Sequence, residues 1–250
     1  MAEETLLLLP PSERKAGGGT GPSWQVQPGS FPQLAAARSV VRRAAARGRG
    51  SIGPVAAALA AAAEEAPTRP ALDRYTGVLY DALSVPTLGP ALRRAAAQRV
   101  GVVSGLAGLV TGGDPVPDYT LPMGASLPRL GGLGAWWRPR LSPVLDAWVD
   151  GAVVWDLLPG VHARVWSPRG SWRARWQVRV LREAPDGTRS TVSHDNKAVK
   201  GSLARHVLET SVRHPEELRD WRGPTGYGVD LQTSTWTAAG GVVDLVRPAG

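Results

Sequence analysis

Leu6-Leu7-Leu8-Leu9, preceded by Thr5, is an unbroken apolar run closed by Pro10-Pro11. With no alternation of polar residues it reads as a buried strand. The two prolines, which lack the N–H that a ladder uses, stop it. A buried strand must be covered by other elements, and the rest of the chain offers both kinds. Val100, Val102 and Val103 mark a strand over residues 99–104, and residues 153–157 form another short buried one. Trp176, Val178 and Val180 alternate with Gln177, Arg179 and Leu181 over residues 173–182. With the turn Pro185-Asp186-Gly187 and residues 188–193, they read as a hairpin. Residues 227–231 and 242–246 read as closing strands around Gly240-Gly241.

Helices are expected over residues 33–47, over 54–66 with Pro54 in the first turn, over 87–98, and over 196–213 with Asp195 as cap. A shorter one is expected over 215–221. Residues 71–83 read as a helix or a turn-rich element. Ser142-Pro143 offers an N-cap and a proline at the first helical position, so a helix is expected from there to Gly151. Residues 12–32 and 105–134 are rich in Gly and Pro and read as loops, and the length of the second suggests function. Strands and helices intermix, and no composition shift forces a boundary. The expectation is one α/β (or α+β) domain over residues 1–250, a mixed sheet surrounded by helices.

A hydrophobic share of 43% with 20% charged residues argues against wholesale disorder. No apolar run approaches the roughly 18 residues of a membrane span. Met1-Ala2-Glu3-Glu4-Thr5 is acidic and polar, unlike a secretory signal, so a cytoplasmic location is the expectation. The absence of cysteine excludes disulfides, thiolate metal sites and cysteine nucleophiles. The net charge of +8 favours polyanionic partners, nucleic acid or phosphorylated ligands. GC-rich codon usage, which inflates Ala, Arg, Gly and Pro, shares responsibility for that charge. Against the same bias, the chain keeps only three lysines, Lys15, Lys197 and Lys200, and one asparagine, Asn196. Lys differs from Arg in hydration and in its ability to lose a proton, so these positions draw attention.

Three segments carry candidate chemistry. Ser12-Glu13-Arg14-Lys15 follows the first strand, where α/β folds place ligands, and combines a hydroxyl, a carboxylate and two cations. The plain alternative is a solvated charged loop. Ser104-Gly105-Leu106-Ala107-Gly108-Leu109 follows another strand. Its glycines would let backbone N–H groups approach a phosphate, although a tight strand-exit turn explains it equally well. Asn196-Lys197-Ala198-Val199-Lys200-Gly201 opens a helix and places Lys197 and Lys200 on one face. Cations there oppose the usual charge preference of a helix start, which an anionic ligand would explain. Gly201 would admit a ligand backbone, and Arg205 extends the basic face. His162, His194, His206 and His214 lack paired metal spacing, and no hydrolase elbow or Walker loop occurs, so no metal or cofactor is expected. Tryptophans such as Trp136 could stack bases, but most read as core.

Taken in order, these segments resemble the peroxide stress YaaA family. Leu8-Leu9-Pro10-Pro11-Ser12-Glu13-Arg14-Lys15 is similar to its Ser-Pro-Ala-Lys-like loop, and Asp73-Arg74-Tyr75-Thr76-Gly77-Val78-Leu79-Tyr80 to its Tyr-Thr-Gly segment. Ser104 to Leu109 looks like its Ser-Gly-Leu-Tyr-Gly stretch, with Ala107 in place of the aromatic. Asp118-Tyr119-Thr120-Leu121-Pro122-Met123-Gly124 looks like its Tyr-Arg-Leu-Glu-Met-Gly stretch, with Thr120 and Pro122 in place of Arg and Glu. Lys197 to Gly201 looks like its late Lys-x-x-(Lys/Arg)-Gly helix. The resemblance implies an intracellular protein that limits oxidative damage, with lowered free iron, DNA binding, a basic cleft and a helix–hairpin–helix-like element. Residues 47–59 are the best candidate for that element, and nothing resembles an iron site.

Two expectations follow. The first is a DNA-binding module whose cleft, built from Ser12, Arg14, Lys15, Tyr75, Thr76, Ser104, Gly105, Asn196, Lys197, Lys200 and Arg205, holds the backbone with weak sequence preference, Tyr75 or Trp136 stacking bases. The second is an enzyme acting on a nucleotide or nucleobase, with Lys197 as nucleophile or base and Glu13 or Asp118 moving protons.

Overall fold

The computed structural model describes residues 4–24, 29–48, 50–191 and 193–249. Its strands are β1 (Thr5–Leu9), β2 (Gly21–Ser23), β3 (Pro67–Pro70), β4 (Val100–Ser104), β5 (Gly108–Thr111), β6 (Pro115–Val116), β7 (Ser126–Leu127), β8 (Gly131–Gly132), β9 (Val153–Asp156), β10 (Ala174–Glu183), β11 (Arg189–Thr191), β12 (Gly228–Thr237) and β13 (Gly240–Arg247). Its helices are α1 (Ala35–Ala46), α2 (Pro54–Ala62), α3 (Ala71–Arg74), α4 (Val78–Leu83), α5 (Pro90–Arg99), α6 (Leu133–Trp148), α7 (Gly160–Ala163) and α8 (Ser193–Thr210).

Among the described residues the main sheet has eight strands, in the order β12-β13-β10-β9-β1-β4-β5 with β11 on β10. Its centre, β13-β10-β9-β1-β4, is parallel, and β5, β11 and β12 are antiparallel additions. This mixed sheet with helices is an α/β fold. β1, β4 and β9 are buried along their whole length, which is why they read as apolar runs without alternation. The chain steps from β1 to β4 on one side and returns to β9 on the other. β1 is therefore where the strand order reverses, the point at which open α/β sheets form a crevice beyond the strand ends.

Several expectations are corrected. Residues 105–134 are not one loop: β5 pairs back onto β4, and β6, β7 and β8 form short ladders. Glycine and proline hide these strands from pattern reading, because each is too short to show a period. α6 starts at Leu133, well before Ser142, and runs through Pro139 and Pro143. Ser142 is not a cap; its hydroxyl donates to the Arg138 carbonyl at 2.8 Å and accepts from the Ser167 N–H at 2.9 Å. α8 starts at Ser193, so Asp195 lies inside the first turn, where its carboxylate faces Tyr227 and Arg247. The segment 47–59 joins α1 to α2, which pack together, and residue 49 within it lies outside the described residues.

Candidate functional site

The loops leaving β1 and β9 and the first turns of α8 enclose a cavity of about 660 Å³. Its walls are Pro10 to Lys15 after β1, Thr76 to Tyr80 around the start of α4, Tyr119 to Gly124, the segment from Leu157 to His162 after β9, and Asn196, Lys197 and Lys200 of α8. The volume suits a ligand of nucleotide size.

The first wall is fixed by backbone pairing. Lys15 and Tyr75 form an isolated antiparallel bridge, the Ala16 N–H donates to the Arg74 carbonyl at 2.9 Å, and the Thr76 N–H donates to the Arg14 carbonyl at 3.2 Å. The Ser12 hydroxyl donates to the Thr76 carbonyl, and the Tyr80 hydroxyl donates to the Pro10 carbonyl at 2.8 Å. Gly77, at φ +103°, turns the chain into α4 in a conformation that a side chain would resist. Beneath this wall lies a buried hydroxyl chain: Tyr75 and Tyr119 share a hydrogen bond at 2.9 Å, and Tyr119 and Ser104 another at 2.7 Å. Lys15 rests on it, its Nζ 4.2 Å from the Tyr119 ring centre and donating to the Ser12 carbonyl at 2.9 Å. Burial lowers its pKa to about 8, against the pull of Asp118.

On α8 Lys200 is buried, and its Nζ donates to the Leu157 carbonyl at 3.1 Å. Burial lowers its pKa to about 8 as well, with Asp156 acting the other way. The Asp156 carboxylate is held by Arg175 through Nε, at 3.1 Å, and Nη2, and it caps the turn after β9 by accepting from the Leu158 N–H at 3.0 Å. Arg175 in turn lies 4.5 Å over the Trp166 ring. His162 lines the same cavity with both ring nitrogens buried and no hydrogen-bond partner for either among the described residues. Burial lowers its pKa to about 4, which keeps the imidazole neutral near pH 7.

Ser12, Glu13, Arg14, Lys15, Thr76, Asn196, Lys197 and Lys200 thus meet at one cavity. Arg14 and Lys197 are exposed, and Lys200 is buried. Tyr75, Ser104 and Gly105 are buried behind the wall and do not line it. A Cβ on Gly105 would meet the Leu121 carbonyl at 2.2 Å, so this glycine permits contact between two chain segments and faces no ligand. Gly201 likewise meets α4: a Cβ there would lie 2.1 Å from the Leu79 carbonyl oxygen. Arg205 points away from the cavity, to Glu209 at 2.6 Å and Thr87 at 2.7 Å. Asp118 acts on Lys15 by its charge without lining the cavity, and Trp136 lines a different groove, between α1 and α6. Sequence reasoning missed Tyr119, Leu157 and His162 as wall residues. The signal for the last two was their place after β9, a strand exit equivalent to the one after β1.

A family model described as peroxide stress protein YaaA matches residues 6–232. The chain belongs to this family. A UPF0246 protein of Streptomyces coelicolor is 40% identical over 91% of the chain and 92% of its own length. UPF0246 proteins of Corynebacterium efficiens and Corynebacterium glutamicum are 36% and 35% identical, over 98% and 86% of the chain and 93% and 89% of their own lengths. The two positions where the chain departs from the YaaA family's Tyr-Arg-Leu-Glu-Met-Gly stretch, Thr120 and Pro122, both stand on the cavity wall, whereas the third departure, Ala107, is buried away from it. No described helix is long and apolar enough to cross a membrane.

Proposed function

We propose that this chain serves peroxide-stress protection, the role its family is named for, by holding one nucleotide unit of DNA in the cavity while the phosphate backbone crosses the mouth. One observation carries this reading: a cavity of about 660 Å³ is lined by Arg14 and Lys15 from the loop after β1 and by Lys197 and Lys200 from α8. Phosphate binds such cations without regard to sequence, and an unpaired nucleotide can leave the stack to fill a pocket that a paired one cannot reach. Double-stranded DNA then binds through backbone contacts, and DNA with an unpaired nucleotide binds more tightly.

The test is fluorescence anisotropy at about 50 mM salt with three labelled probes: a paired duplex, the same duplex with one unpaired nucleotide, and a single mononucleotide. Tighter binding of the unpaired duplex than of the paired one is the expected result. Equal affinity for both duplexes would remove the cavity from DNA binding, and no binding by folded protein would remove the whole reading. A second reading, an enzyme acting on the bound nucleotide, is favoured by the burial of the Lys200 amine, because a desolvated lysine is a nucleophile or base near neutral pH.

A further inference from the structure

We propose that Lys200 is a reactive amine that forms an imine with a nucleotide unit whose sugar carries a free aldehyde, a proposal that rests on the cavity reading above. The three lysines of the chain all line the cavity, and their surroundings separate their roles. Lys197 is exposed, where water solvates its charge. Lys15 is placed as a cation: its Nζ donates to the Ser12 and Glu13 carbonyls at 2.9 and 3.3 Å and lies against the faces of Tyr119 and Tyr75 at 4.2 and 5.7 Å. Lys200 has none of these aromatic faces. It is 6% exposed, and its Nζ donates to the Leu157 carbonyl, a bond that a neutral amine makes as well as an ammonium.

The neighbouring carboxylate does not undo this. Asp156 is engaged by Nε and Nη2 of Arg175 and by the Leu158 N–H. Its charge offsets the burial of Lys200 only in part, and burial stays the larger effect. Lys200 lines the cavity, so a ligand held there lies beside its side chain.

The step balances without an oxidant or reductant. The lone pair of Lys200 Nζ attacks the aldehyde carbon, and the carbonyl π pair moves to oxygen. One proton passes from the attacking nitrogen to the alkoxide oxygen, giving the carbinolamine, and a second passes from that nitrogen to the hydroxyl so formed. The hydroxyl leaves as water as the C=N bond forms. Arg14 and Lys197 at the mouth, and Lys15 inside, are the cations available to the phosphates flanking the sugar.

The experiment uses the full chain and three probes: an oligonucleotide with one aldehydic base-free site, the same oligonucleotide with a tetrahydrofuran at that site, and ribose 5-phosphate. Sodium cyanoborohydride supplies hydride to reduce any imine to a stable secondary amine, and peptide mass mapping locates it. The expected result is a covalent adduct at Lys200 with the aldehydic oligonucleotide and no adduct with the tetrahydrofuran probe. Ribose 5-phosphate trapping at the same residue would extend the substrate to free sugar phosphates; its failure beside success of the DNA probe would confine it to DNA. Mapping on the unmodified chain needs no variant to fold. Lys200→Met should lose at least nine-tenths of the adduct, with folding checked by circular dichroism. Adduct at Lys15, Lys197 or the N-terminal amine in place of Lys200 would overturn the proposal. So would tight binding of the tetrahydrofuran probe with no trapping of the aldehyde, and that outcome would leave the cavity reading intact. Neither binding nor trapping would overturn both.

Discussion

Two of the three lysines stand out chemically because they are withdrawn from water, Lys15 half-buried and Lys200 buried, and this has a consequence for stability. Lys15 and Lys200 both titrate at about 8 in the fold, lowered by burial from the ordinary 10.5. Between those values the unfolded chain holds protons that the folded chain has released, so stability rises with pH across that window. Tyr75, Tyr80 and Tyr119 act in the other direction, because burial raises their hydroxyls above 10 and the unfolded chain loses those protons first. Urea unfolding should therefore show stability climbing from pH 8 to about 10 and levelling or falling above it. Lys200→Met should flatten the climb. A curve falling from pH 8 onward would show that these amines are not desolvated. At this scale the sequence was legible in one respect: lysines kept in an arginine-rich chain marked cavity positions. It could not tell which lysine is buried. Lys197 and Lys200 share a helix face, and only the seating of α8 against the turn after β9 separates an exposed amine from a buried one.

Elements were legible where a period ran long enough. β1, β4, β9 and β10 and the helices α1, α5 and α8 fall close to their expected places. α6 was truncated in the reading because Ser142-Pro143 carries the signature of a helix start. The helix runs through it instead, with the Ser142 hydroxyl bonded one turn back to the Arg138 carbonyl. Gly201 shows a similar limit. A glycine inside a helix suggests room for a ligand, yet here it lets α8 touch the backbone of α4, which holds the lysine-bearing turns against the cavity. Gly201→Ala tests this. Helix propensity alone would stabilise by up to about 1 kcal/mol. The added methyl would lie 2.1 Å from the Leu79 oxygen and 2.9 Å from the Ala82 Cβ, so the helices must separate. Overpacking should win, with a net loss of roughly 1–3 kcal/mol seen as a lower urea midpoint at unchanged slope. A midpoint at or above that of the parent chain would mean that α8 and α4 are not in close contact.

At the scale of the whole molecule, the proposed DNA binding divides into a contribution from charge and one from the cavity. The net charge of +8 attracts any polyanion, whereas on the proposed reading the cavity takes only a nucleotide that has left its stack. Exposed cations at the mouth, Arg14 and Lys197, are those that would displace counterions from the backbone. Lys200 is too enclosed to meet a phosphate of an intact duplex, and Arg205 is engaged with Glu209 and Thr87 outside the cavity. A salt series on a paired duplex should resolve this division. Each of Arg14→Ala and Lys197→Ala should lower the slope of log K against log salt by roughly 0.9, the value for one lost phosphate contact. Lys197→Arg should keep the slope, because arginine also holds phosphate. Lys200→Met should leave both slope and duplex affinity unchanged while weakening the gain from an unpaired nucleotide. If Arg14→Ala and Lys197→Ala leave the slope as it is, the backbone crosses some other surface, and the +8 charge acts without this cavity. If Lys200→Met lowers the slope as well, the duplex itself reaches the interior, and the cavity must open further than its walls now stand.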